Sequence, residues 1–86
     1  MYKAAFYKQA ARYYKNIDTK TKRRINIAID EMIKNPFKGT HIKKLKGILK
    51  SKYRYDIGQF RVIYYVDMDS KTIYVEAMGP RGDIYK

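Results

Sequence analysis

The sequence predicts an α+β domain, with helices on one face of a mostly antiparallel sheet. Three observations lead there. Residues 53–66 alternate between apolar and polar around Gly58-Gln59, the signature of a two-residue hairpin. Residues 25–33 repeat apolar side chains at steps of three and four, the signature of a helix. The chain order is a strand, two helices and then three strands, which segregates helices from sheet.

Taken in order, Tyr2 to Phe6 reads as a short first strand. Tyr7 to about Ile17 fits a helix, with Ala10, Tyr13, Tyr14 and Ile17 at helical spacing. Asp18 or Thr19 can cap the second helix, whose stripe is Ile25, Ala28, Ile29, Met32 and Ile33. Asn35-Pro36 ends it, because a residue before proline is pushed out of helical geometry. Lys20, Lys22, Arg23 and Arg24 crowd its first turns, where the helix dipole disfavours cations. Phe37 to Lys52 has few periodic apolar residues and reads as a basic connection.

The last part carries the sheet. A two-residue turn at Gly58-Gln59 puts Ile57 opposite Phe60, Tyr55 opposite Val62 and Tyr53 opposite Tyr64. A glycine at the first central position suits a type II′ turn. The other face then holds Asp56 beside Arg61, with Arg54 two residues back. A four-residue loop at Asp67–Ser70 would place Ile73 opposite Tyr64, Val75 opposite Val62 and Ala77 opposite Phe60. Glu76 would join Arg61 on the polar face, so Arg61 would lie between two carboxylates. Gly79-Pro80-Arg81-Gly82 is expected to leave regular pairing, since Pro80 has no amide donor. That sets Arg81 and Tyr85 just past a sheet edge.

Composition narrows the function. The 86 residues are expected to form one domain, 1–86, with a small core to which ten tyrosines contribute much of the bulk. There is no cysteine, so disulfides and thiolate metal sites are excluded, in keeping with a reducing cytoplasm. No segment is apolar and long enough to span a membrane, and the start does not read as a signal peptide. The net charge of +12 is concentrated upstream of Arg54. Between Pro36 and Tyr53 stand Lys38, Lys43, Lys44, Lys46, Lys50 and Lys52 with no acidic residue, whereas basic and acidic residues balance from Arg54 onward. Such a field favours a polyanion, either nucleic acid or an acidic protein.

Each functional candidate has a plainer role beside it. Arg61 serves equally as a sheet ion pair with Asp56 and Glu76. Arg81 has no obvious strand partner, which favours a binding role. Tyr85 can pack or stack on a base. His41 is the single histidine, so a histidine-pair ribonuclease and a histidine metal site are both disfavoured, and His41 reads as an exposed bystander. Asp67 and Asp69 occupy a hairpin loop, where aspartate is routine.

Lys44-Leu45-Lys46-Gly47, Tyr53-Arg54-Tyr55, Gly58-Gln59-Phe60-Arg61-Val62-Ile63-Tyr64 and Gly79-Pro80-Arg81-Gly82-Asp83-Ile84-Tyr85 together resemble the RelE/ParE toxin superfamily, closest to its RelE branch. The strand and helix pair ending in Asn35-Pro36 match as well, so the resemblance covers essentially the whole chain. It implies a small RelE-like domain acting as the toxin of a type II toxin–antitoxin pair in the prokaryotic cytoplasm. The implied activity is a metal-independent endoribonuclease that needs no cofactor and cleaves mRNA in the ribosomal A site. The implied partners are mRNA, the ribosome and a cognate acidic antitoxin. The alternative within the same fold is a ParE-like inhibitor of DNA gyrase without nuclease chemistry.

By position, the resemblance assigns Arg61, Arg81 and Tyr85 to phosphate binding, leaving-group stabilisation and base orientation. Arg54 matches a position usually basic. A second basic residue often follows two positions later, where this chain has Asp56. The chemistry fits, because RNA cleaves when its 2′-oxygen attacks the adjacent phosphate, and arginine forks match phosphate oxygens. A general base must be tuned by its neighbours, since tyrosine and lysine ordinarily titrate near about 10 and 10.4. Lys46, Lys52, Asp56 and Tyr85 are the candidates. Lys43, Lys44 and Lys50 are expected to contact RNA.

Overall fold

The computed structural model describes residues 1–45, 52–80 and 82. These form β1 (Lys3–Phe6), α1 (Lys8–Asn16), α2 (Thr19–Lys34), β2 (Ile42–Lys44), β3 (Tyr53–Ile57), β4 (Phe60–Asp67) and β5 (Thr72–Pro80). The strands make one five-stranded sheet in the order β1-β5-β4-β3-β2. Only β1 runs parallel to its neighbour, pairing Lys3–Phe6 with Thr72–Val75 of β5. Both helices cover one face, α1 on β5 and α2 on β3. The expected α+β architecture is therefore the one found.

Helix boundaries follow the local signals. Asp18 holds the N-cap position of α2 with extended backbone, and Asn35 ends the helix before Pro36. The stripe of α2 is buried through Ile25, Ala28 and Met32, with Ile29 and Ile33 packed at its margin. α1 buries Ala10 and leans Tyr13, Tyr14 and Ile17 on the same core. From the sheet come Tyr55, Val62, Tyr64, Ile73, Val75 and Met78, all nearly solvent-free. Each fully buried aliphatic side chain contributes about 1.5–3 kcal/mol of transfer free energy. In a chain this small, few such residues can be spared.

The β3–β4 hairpin has the expected register, pairing Tyr53 with Tyr64, Tyr55 with Val62 and Ile57 with Phe60. Gly58 takes φ 54° and Gln59 does not share the positive sign, the pattern of a type II′ turn.

Three features depart from the sequence expectation. The Phe37–Lys52 connection contains a strand, β2, which pairs antiparallel with β3. Its one apolar residue, Ile42, gives no periodicity to read, and pairing to a neighbouring edge supplies the order instead. The β4–β5 loop spans Met68–Lys71 rather than Asp67–Ser70, closed by the left-handed backbone of Lys71 and an Asp67 carboxylate accepting from the Asp69 amide. Tyr64 accordingly faces Val75, Val62 faces Met78 and Phe60 faces Pro80.

The third departure is a β-bulge. The ladder steps from Ile63–Ala77 to Tyr64–Val75, so Glu76 has no partner on β4. The extra residue restores Met78 to the core, and Gly79 and Pro80, expected to leave regular pairing, stay in the ladder opposite Arg61 and Phe60. Beyond the last β1 pair, the Gln9 side chain extends the edge. Its Nε2 donates to the Met78 carbonyl at 3.3 Å and its Oε1 accepts from the Met78 amide at 3.1 Å. The α1 side chain thus replaces a strand partner for the final part of β5.

Tyr64 ties the layers together. It is fully buried, and its hydroxyl donates to the Pro36 carbonyl at 2.7 Å, fixing the exit of α2 over the middle of the sheet. A Tyr64→Phe variant leaves that carbonyl without its donor and is expected to lose about 1–3 kcal/mol. Urea denaturation checks this, as a lowered midpoint at unchanged slope.

Candidate functional site

The sheet face turned away from the helices collects the charged and aromatic residues. On β3 and β4, side chains alternate strictly, so Arg54 and Asp56 share this face with Arg61, Ile63 and Tyr65. Arg61 stands directly opposite Asp56 and donates from Nε to Oδ1 at 2.8 Å. Arg54 brings its Nε to 3.5 Å from the other carboxylate oxygen. Shielded from solvent, that Nε has no hydrogen-bond partner among the described residues. One carboxylate thus orients two guanidinium groups side by side.

The bulge in β5 decides what flanks Arg61 on its other side. The residue opposite is Gly79, which adds no side chain to this face. Glu76, expected to pair with Arg61, instead takes Lys52, with Nζ and Oε1 2.8 Å apart. Lys52 immediately precedes β3 and Glu76 lies in β5, so this ion pair reaches across β4. Arg61 therefore has a single carboxylate partner among the described residues, not two.

The remaining candidates divide by face. Lys43 pairs with Arg54 in the ladder and stands on the arginine side, whereas Lys44 pairs with Tyr53 and stands on the other. Both are exposed. Lys46, Lys50, Arg81 and Tyr85 lie outside the described residues. Arg81 directly follows Pro80, the residue that ends β5 beside Phe60.

His41 is exposed but not isolated, because its ring lies 5.6 Å from that of Tyr55. Tyr55 donates its hydroxyl to Glu31 of α2. Burial, followed by the Glu31 hydrogen bond, pushes the Tyr55 phenol well above its ordinary pKa. Burial does the same to Tyr64. These groups line the helix side of the sheet and are structural.

An aromatic cluster on the open face is absent from the sequence reading. Tyr65 and Tyr74, cross-strand neighbours, stack with centroids 5.1 Å apart, and Tyr7 meets both rings at steep angles. The Tyr7 and Tyr65 hydroxyls lie 2.7 Å apart. That hydrogen bond, more than burial, pushes Tyr65 up to about 12. The signal available in the sequence was the Tyr64-Tyr65 pair, whose second ring must face away from the core if the first faces in.

Comparison with known proteins follows the same lines. A family described as ParE-like toxin of type II bacterial toxin–antitoxin system matches residues 5–86. The chain belongs to this family and is a type II toxin of the RelE/YoeB/ParE fold. Its structure is similar to archaeal RelE in the RelE–RelB complex of Pyrococcus horikoshii OT3. There the identity is 27%, the TM-score 0.79, and the match covers 95% of this chain and 97% of that one. The YoeB dimer of Staphylococcus aureus is similar at 26% identity and TM-score 0.74, covering 88% and 92%. Isolated RelE of E. coli shares the fold at 18% identity and TM-score 0.81, covering 99% and 92%. No curated protein sequence matches the chain.

The tyrosine network gives a pH prediction. Tyr65 is raised in the folded state, so its contribution is fully present below about pH 10, its unfolded pKa, and is lost as pH climbs towards about 12. Stability should fall over that interval, and Tyr7→Phe should reduce the fall by removing the main cause of the shift. Urea midpoints measured at successive alkaline pH values check it.

Proposed function

We propose that this toxin is a metal-independent endoribonuclease that cleaves mRNA in the ribosomal A site, and that a cognate acidic antitoxin neutralises it. The observation carrying this reading is the pair of arginines aligned by Asp56 on the open sheet face. Arg54 faces the same carboxylate from the other side, and Arg61 has glycine on its far side. Two guanidinium groups held side by side match the oxygens of one phosphate.

The reaction needs little covalent help from the protein. The 2′-hydroxyl gives up its proton as its oxygen attacks the adjacent phosphorus, the bond to the 5′-oxygen breaks as that oxygen takes up a proton, and a 2′,3′-cyclic phosphate remains on the upstream fragment. Negative charge builds on the phosphoryl oxygens in the transition state. Prepositioned arginines lower that barrier without reorganising at the moment of reaction. Arg61 is the phosphate ligand, and Arg54 supports it. Arg81 serves the leaving 5′-oxygen and Tyr85 orients a base, as their positions in the family pattern imply.

Asp56 and Lys52 are already engaged, by the two arginines and by Glu76 respectively. In this reading Asp56 fixes the two guanidinium groups, and Lys52 is itself held in place by Glu76. Lys43 extends the positive field from the edge strand, and the +12 charge draws both the messenger and an acidic antitoxin. Structural neighbours described as RelE–RelB and YoeB–YefM complexes support such a partner.

A second reading is a ParE-like gyrase inhibitor. It is favoured by the name of the matching family and by Asp56, which occupies a position where RelE-branch toxins often carry another basic residue.

Mapping mRNA 5′ ends in a translating extract separates the two. The wild type should cut within codons, and Arg61→Ala should cut roughly 100–1,000-fold more slowly, the usual loss for one transition-state donor. Arg81→Ala should fall similarly. Intact messages at high wild-type concentration would overturn the ribonuclease reading and leave gyrase supercoiling as the assay to run.

A further inference from the structure

The geometry points to a second RNA subsite beside the arginines: Tyr65 and Tyr74, braced by Tyr7, form a platform on which a base flanking the scissile phosphate stacks. This inference rests on the ribonuclease reading and adds to it a nucleobase-binding surface formed by described residues.

Position comes first. Tyr65 lies on β4 four residues beyond Arg61 and on the same face, about 13 Å along the strand. Its cross-strand neighbour Tyr74 lies on β5. The arginine–carboxylate cluster and the tyrosines thus occupy two ends of one sheet face, with the buried Ile63 between them. The Lys52–Glu76 ion pair crosses β4 between its neighbours.

The rings are also organised for stacking. Tyr65 and Tyr74 are nearly parallel, with an interplanar angle of 22°, while Tyr7 stands at 84° to the first and 64° to the second. The bond between the Tyr7 and Tyr65 hydroxyls pins two of the three rings. Tyr7 remains 42% exposed, and Tyr65 and Tyr74 are only partly covered. Core packing does not account for them, because the core lies on the opposite face. A preorganised aromatic surface loses little side-chain entropy when a base settles on it.

The occupant is single-stranded RNA because charge and aromatic surface occur together. Phosphates find the guanidinium groups and Lys43, and an unpaired base finds the π-face. An acidic peptide would also pair its carboxylates with the arginines, but single-stranded RNA sets a flat base beside every phosphate and so engages both ends of the face. Stacking tolerates any base, so the platform supplies affinity and register more than sequence choice.

The test uses the 86-residue chain and a fluorescein-labelled 2′-O-methyl oligoribonucleotide, which cannot be cut, alongside versions with one abasic position. Wild type should bind the complete oligomer about tenfold more tightly than the version abasic at the platform position. Tyr74→Ala should abolish that difference while retaining salt-dependent binding. Arg61→Ala should weaken both oligomers alike. Tyr74→Leu keeps apolar bulk on the strand without a π-face, and should read as Tyr74→Ala does even if the alanine variant unfolds. Salt-dependent binding with no abasic position distinguished, or a difference that survives Tyr74→Leu, overturns the platform alone. No binding of any oligomer by wild type overturns the platform, while the RNA reading stands or falls separately on the cleavage mapped in the translating extract.

Discussion

One unpaired residue in β5 sets the geometry of the open face. Glu76 is extruded from the β4–β5 ladder, and everything beyond it is displaced by one position. Without the bulge, strict alternation would turn Met78 outward and Ala77 inward, trading a large core side chain for a methyl group. With it, Met78 fills the core, Gly79 comes opposite Arg61, and Glu76 is free to take Lys52. Gln9 then secures the displaced segment by closing both backbone bonds of Met78. The same irregularity that completes the core also leaves Arg61 with one carboxylate neighbour.

That arrangement reconciles stability with the proposed phosphate binding. An arginine wedged between two carboxylates would be neutralised and shielded on both sides. Here a single carboxylate serves two arginines, so the cluster keeps net positive charge while its geometry stays fixed. Asp56, which departs from the family's basic pattern, becomes intelligible as an aligner of cations. The cost is a local net charge two units lower than a basic residue at that position would give. The basic residues of α2 and the 36–53 segment supply the long-range field instead.

How much of this could be read from the chain depends on how local the determinant was. The β3–β4 register was legible because Gly58 fixes a two-residue turn and alternation does the rest. Arg61 beside Asp56 followed directly. The β4–β5 register was not, because unbroken period-two alternation keeps Glu76 out of the core only with the loop at Asp67–Ser70, whereas the real ladder breaks alternation at Glu76. The protein removes Glu76 from the core by bulging it, a choice decided by Met78 packing and the Gln9 bonds, which are tertiary. Ile42–Lys44 gave no strand signal because its pairing comes from the neighbouring edge of β3. The platform of Tyr7, Tyr65 and Tyr74 joins three distant segments and depends on the parallel pairing of β1 with β5.

The most direct measurement asks whether the attacking group is the RNA's own 2′-hydroxyl. A message carrying a single 2′-deoxy nucleotide at a mapped cut would be presented to the toxin in a translating extract. The ends of any fragments would then be analysed. The account predicts a 2′,3′-cyclic phosphate on the upstream fragment of the unmodified message, and loss of that one cut in the deoxy message. Undiminished cutting at the deoxy position would contradict it, since arginines around a phosphate attacked by its neighbouring 2′-oxygen cannot act where that nucleophile is missing.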